Sequence, residues 1–197
     1  MSEVFAILSG LFMIAVGIVY FKQVIQGTST PNPATWSIWV LTTSLNTGTY
    51  LSVAEGDWFK TSTTLACAIQ CVVVFLYALF KGKFGKLDKT EIICLVCSII
   101  IGTLWRITGN AILANILLQL VFVISFIPTV VGVLKKELRE KQLPWDLAVM
   151  SHTWLVVSIV ASWHTGSVYE LFYPIIGGIL GNGAVSVAVR STNKEVK

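Results

Sequence analysis

Charge is what this sequence has least of. Asp, Glu, Lys and Arg make up 12% of its 197 residues, against about a quarter in soluble domains, while apolar residues reach 55% and the mean hydropathy is +0.78. Too little polar side chain is present to coat a soluble globule, so composition excludes one and points to an all-helical integral membrane protein. Histidine is almost missing as well: His152 and His164 are the only two. No Ser-His pair in a G-x-S-G setting, no aspartate pair and no H-E-x-x-H helix can be assembled, which argues against an intramembrane protease and against an enzyme in general. Residues 167–189 contain no lysine, which excludes a retinal Schiff base there. The four cysteines, Cys67, Cys71, Cys94 and Cys97, lie in apolar runs without a neighbouring His or Cys pair. They read as small buried hydrophobes, and no metal, cofactor or nucleic-acid partner is expected.

What the sequence does have is long apolar runs. A helix needs about 20 such residues to cross a hydrocarbon core of roughly 30 Å, and seven runs approach that length, near 4–21, 34–54, 62–80, 91–105, 110–134, 145–163 and 167–189. The fourth is the shortest, with 14 uncharged residues between Glu91 and Arg106; Thr108-Gly109-Asn110 then supplies the turn before the fifth. Met1-Ser2-Glu3 lacks the basic start of a secretory signal, so the first run is expected to stay as a helix. Trp36, Trp58, Trp105 and Trp163 fall near run ends and read as interfacial residues.

The few charges are distributed unevenly. With seven spans, one side carries only Lys60 and Arg106, whereas the other carries Lys22, Lys81, Lys83, Lys86, Lys89, Lys135, Lys136, Arg139, Lys141, Arg190, Lys194 and Lys197. Under the positive-inside rule the basic side is cytoplasmic, which puts the N-terminus outside and the C-terminus inside a cell (inner) membrane.

The chain also repeats itself. Ala6-Ile7-Leu8 leads through an apolar run to Phe21-Lys22-Gln23-Val24 and, after a polar link, Pro33-Ala34-Thr35-Trp36; Ala111-Ile112-Leu113 leads to Phe126-Ile127-Pro128-Thr129 and then Pro144-Trp145. Helices 1–3 thus echo helices 5–7, and one odd helix between them makes the copies parallel, a 3+1+3 arrangement. The expected units are 1–90, a linker helix at 91–108, and 109–197.

Thr30-Pro31-Asn32-Pro33-Ala34-Thr35-Trp36-Ser37-Ile38-Trp39 and the stretch from Leu104-Trp105-Arg106-Ile107-Thr108-Gly109-Asn110 to Pro128-Thr129 resemble the PQ-loop superfamily, which includes the SWEET and SemiSWEET sugar facilitators. The resemblance spans nearly the whole chain and looks like a bacterial seven-helix branch. It implies alternating access with proline hinges, matched here by Pro33, Pro128 and Pro144, and a pocket lined by Trp on helices 2 and 6 and Asn on helices 3 and 7.

Polar groups at bilayer depth are costly unless paired or facing a cavity. Thr42-Thr43-Ser44, Asn46-Thr47, Gln70, Asn115, Gln119, Ser151-His152-Thr153 and Asn182 are the candidates. From them, with two deep tryptophans, the solute-binding set is expected to be Trp39, Asn46, Gln70, His152, Trp154 and Asn182. Each amide or hydroxyl has a competing use as a helix-to-helix hydrogen bond, and His152 reads either as a proton carrier or as a hydrogen-bonded core residue. With no Asp or Glu at mid-span, the expected function is a passive facilitator of a small polar solute such as a sugar. The alternative is a non-transporting scaffold or receptor-like protein, and self-association fits either.

Overall fold

A computed structural model describes residues 1–81, 89–163 and 168–194; Lys83, Lys86, His164 and Lys197 lie outside them. The described chain is helical throughout: α1 (Ser2–Ile25), α2 (Pro33–Val53), α3 (Trp58–Phe80), α4 (Lys89–Thr108), α5 (Ala111–Leu134), α6 (Gln142–Ala161) and α7 (Gly181–Lys194). A 3-10 turn (Tyr169–Leu171) and a π-helical segment (Tyr173–Leu180) lead into α7.

Local chemistry fixes the helix ends. Asn32, Asp57 and Asn110 accept hydrogen bonds from the backbone N–H of Ala34, Lys60 and Leu113, capping α2, α3 and α5. Gly27 and Gly109 follow α1 and α4 at φ of 70° and 68°, the left-handed conformation that stops a helix at little steric cost. Pro33 is the first residue of α2 and Pro144 the third of α6, positions where a missing N–H breaks no helical bond. These two prolines therefore start helices rather than interrupt them. Pro128 does lie inside α5, which stays helical to Leu134.

Six of the helical stretches are long and apolar enough to cross a membrane: α1, α3, α4, α5, α6 and the run from Tyr169 to Asn193. The expected span at 34–54 is a helix of 21 residues, but its run of Thr, Ser and Asn leaves it less apolar than the other six. That composition fits its place, because α2 packs against α3, α5 and α4 and buries Thr42, Thr43, Asn46 and Thr49. By contrast, Ile7, Leu11, Ile14 and Ile18 form an exposed apolar stripe along α1, a face that suits lipid rather than water.

The helices pack as a closed ring in the order α1, α3, α2, α5, α7, α6 and back to α1, which chain order divides into two sets of three, α1–α3 and α5–α7. Both α1 and α2 pack against α3, while α5 and α6 both pack against α7 and its π-helical lead. Between the sets, α1 meets α6 and α2 meets α5; α4 packs on the outside of α5 and α2. The α1–α2 and α5–α6 linkers touch, with Thr30 N–H donating to Arg139 C=O at 2.7 Å. We call this the basic end of the bundle.

One interfacial reading fails. Trp58 and Trp163 are exposed, but Trp36 is buried against Tyr20 and Trp39 at ring-centroid distances of 5.0 Å each. Three residues from Pro33, Trp36 sits on the inward face of α2, so nearness to a helix end did not put it at the surface.

Candidate functional site

A narrow cavity of about 60 Å³ lies between the two sets of helices. At roughly 10–15 Å³ per water it has room for about four to six of them. Every helix of both sets lines it: Val16 and Tyr20 from α1; Trp36, Trp39 and Thr43 from α2; Cys67, Gln70 and Cys71 from α3; Phe122 and Phe126 from α5; Pro144, Trp145 and His152 from α6; Tyr173, Gly177 and Asn182 from the last span. No residue of α4 takes part, and no Asp, Glu, Lys or Arg is among the lining residues.

Four of the six expected binding residues meet here: Trp39, Gln70, His152 and Asn182. Trp39 spends its indole N–H on Ser125 Oγ at 2.9 Å and presents its ring, packed against Trp36, Phe126 and Trp145. Gln70 lies across α1 with only sulfur partners, Met13 Sδ at 3.7 Å and Cys67 Sγ at 4.0 Å, and its Oε1 has no hydrogen-bond partner. Asn182 Nδ2 donates to Gly178 C=O at 2.7 Å, filling a carbonyl of the π-helical segment. His152 is held on both sides: Nδ1 to Ala148 C=O at 2.8 Å and Nε2 to the Tyr173 hydroxyl at 3.0 Å. Since a carbonyl only accepts, Nδ1 carries the proton and Nε2 accepts from Tyr173. His152 thus positions Tyr173, as a hydrogen-bonded core residue does.

Two expected residues lie elsewhere. Trp154 stacks on Phe5 of α1 at 5.6 Å and an interplanar angle of 5°. Two residues along a helix is about 200° of rotation, so Trp154 cannot share the inward face of His152. Asn46 faces α5 instead of the cavity, its Oδ1 accepting from Asn115 Nδ2 at 3.1 Å and Gln119 Nε2 at 3.0 Å. This amide cluster joins α2 to α5 and leaves Asn46 Nδ2, Asn115 Oδ1 and Gln119 Oε1 buried without partners.

Other lining residues were not anticipated. Trp145 is buried with its N–H unpartnered, and Tyr20 packs against it at 5.9 Å. The Pro144-Trp145 repeat of the Pro33…Trp36 pattern was the available signal. Glycines let the last span approach: a methyl group on Gly178 would collide with the His152 ring, and one on Gly181 with Phe126. The small residues of this span are thus used for close packing.

At each end of the bundle a polar contact joins the two helix sets. At the end opposite the basic one, Lys60 of α3 pairs with Glu170 before the π-helical segment at 2.7 Å, with side chains only 6% and 1% exposed. At the basic end the Tyr20 hydroxyl donates to Glu140 Oε1 of the α5–α6 linker at 2.8 Å. Burial raises the Glu140 carboxyl to about 8, although Tyr20, Trp145 and Ser29 offer hydrogen-bonding groups that pull it down. Among the described residues no three His, Cys, Asp or Glu side chains gather as a metal site. Set against protein-family models, curated proteins and solved structures, the chain matches none.

Proposed function

We propose that this chain is a seven-span membrane facilitator that moves a small, neutral, polar solute, such as a sugar, by alternating access between two three-helix bundles. One observation carries the reading: a single cavity bounded by all six helices of the two sets and by none of the fourth helix. Bundles 1–90 and 109–197, joined by helix 91–108, are then the moving bodies, and α2 is the seventh span, shielded from lipid by its neighbours. The matching contact order of the two sets, third helix packed on the first and second, supports the parallel 3+1+3 repeat and the PQ-loop, SWEET-like resemblance.

The lining sets the solute class. A charged solute would be left without a counter-charge among these residues, which is costly in a buried site. Trp36, Trp39 and Trp145 offer flat apolar faces, which suit the apolar face of a hydroxylated ring, and Gln70 and Asn182 supply amides beside them. Twelve basic residues on one side favour the basic end as cytoplasmic, in the cell membrane. Pro128, within α5, is the one proline of the three in a position to act as a hinge. In this reading the protein is not an enzyme.

The small volume and the amide cluster locking α2 to α5 favour a second reading, a non-transporting scaffold. Proteoliposome flux across a panel of sugars and small neutral metabolites separates the two. A facilitator shows saturable uptake of at least one solute, and Asn182→Ala cuts that uptake at least ten-fold in protein that remains folded. Absence of flux for the whole panel, or loss of flux only in step with the folded fraction, supports the scaffold.

A further inference from the structure

We propose that Glu140 is a proton-binding site whose occupancy holds the basic end of the cavity closed. The inference rests on the facilitator reading and deepens it, by giving a passive path a pH-dependent gate.

Geometry makes the case. Glu140 belongs to the short linker between α5 and α6, yet its carboxyl is turned inward: Oε1 accepts from Tyr20 of α1, and Oε2 is sealed from solvent with no hydrogen-bond partner. The groups around it are the Tyr20 phenol, the Ser29 hydroxyl of the α1–α2 linker, which donates to Gln23, and the Trp145 indole of α6. None is a cation. Glu140 also borders an outer pocket of the linker with Lys136, Arg139, Lys141, Thr192 and Asn193, but those three cations are exposed, whereas its Oε1 is taken by Tyr20 and its Oε2 is sealed from solvent. A carboxylate in this setting keeps a buried negative charge and an unmet oxygen, whereas protonation removes the charge.

Glu140 and Tyr20 belong to different bundles, and both Tyr20 and Trp145 line the cavity. Separating the bundles at this end breaks the Tyr20–Glu140 bond and the Thr30–Arg139 clasp together, and wets the carboxyl. In water the group ionises. The step balances as closed Glu140–COOH giving open Glu140–COO⁻ plus one proton released to the solvent at the basic end. Acid therefore favours closure and alkali favours opening.

The cavity carries its own reporters, since Cys67 and Cys71 line it. In reconstituted protein carrying Cys94→Ser and Cys97→Ser, a small impermeant methanethiosulfonate is applied from the basic end over pH 5–9, with and without Glu140→Gln. Thiol ionisation is common to both proteins and cancels in the ratio of their rates. That ratio should climb by up to about ten-fold per pH unit between 4.5 and about 8 and then level, because the open and closed carboxyls differ over that window. Tyr20→Phe, which removes the one hydrogen bond to the closed carboxylate, should move the levelling point to higher pH and serves if Glu140→Gln folds poorly. An infrared carboxylic-acid band lost as pH passes about 8, and missing in Glu140→Gln, reads the proton directly. A ratio flat across pH 5–9 overturns the proposal whether or not the protein moves solute. A rising ratio in a protein that moves nothing from the panel keeps the proton site and removes the transport reading.

Discussion

At the end of the bundle opposite the basic one, Lys60 and Glu170 meet at 2.7 Å, almost fully buried, so each charge finds its compensation inside the protein. At the basic end Glu140 meets a phenol, and its second oxygen has no partner. The inventory of cations predicts the reverse. Lys135, Lys136, Arg139 and Lys141 cluster at the α5–α6 linker, yet Glu140 there bonds to a phenol, while Lys60 at the other end is spent on a carboxylate in the interior. A buried ion pair holds because both partners stay charged, and it fails when one is removed. A lone buried carboxyl holds best when it is neutral, and it fails when pH rises. The two closures should thus answer to different perturbations.

The largest effect expected is at the ion pair. Lys60→Met should lower stability by about 3–5 kcal/mol by taking the ammonium away from the buried Glu170 carboxylate, and the double variant Lys60→Met/Glu170→Leu should recover most of that. Denaturant titration in detergent measures both. A cost below about 1 kcal/mol for the single variant would mean the pair does not hold this end.

The second contrast is in pH. The folded Glu140 carboxyl titrates near 8 against an ordinary 4.5, so between those values the folded state binds more protons than the unfolded one. Its contribution is complete below pH 4.5 and is lost as pH rises through 8. Wild type should lose up to about 1.4 kcal/mol per pH unit across that window relative to Glu140→Gln. The slope difference should persist in the Lys60→Met/Glu170→Leu background, since the two ends share no residues; its disappearance would couple them.

The smallest effect should come from between the ends. Asn46→Leu removes the shared acceptor of Asn115 and Gln119, which keep Thr49 Oγ1 and the Asn115 carbonyl as their other acceptors, so about 1 kcal/mol is expected for the hydrogen bonds lost. Thermal unfolding should show the loss with the pH slope intact. If the slope changes as well, the amide cluster takes part in closure at the basic end.

Helices were legible because apolar runs and turn residues are local signals. Gly27, Asn32, Asp57 and Asn110 end or start helices within a few residues of where the runs predicted. Side-chain direction was less legible. His152 and Trp154 are both plausible at mid-depth by composition, and only the helical phase separates the cavity face from the α1 face. Depth also misled for Asn46, two turns from Trp39 on the same side of α2 but level with the α5 amides that claim it. Glu140 was the hardest to foresee. A glutamate in Arg-Glu-Lys reads as a solvated linker, and its burial depends on Tyr20, 120 residues earlier in the chain.

The π-helical winding from Tyr173 to Leu180 has a bearing on which changes in chain length this protein tolerates. Its hydrogen bonds span one residue more than those of an α-helix, so the count between Pro174 and Asn182 sets the phase of everything downstream. With that count, Gly178 faces His152, Asn182 turns back to the Gly178 carbonyl, and Ser186 and Arg190 both reach Asp146 of α6. Removing one residue would rotate the remainder by about 100°, sending Asn182 out of the cavity and Ser186 and Arg190 away from their carboxylate in a single event. A one-residue deletion here would thus act as a change of frame, disturbing the cavity and the α6–α7 anchor together.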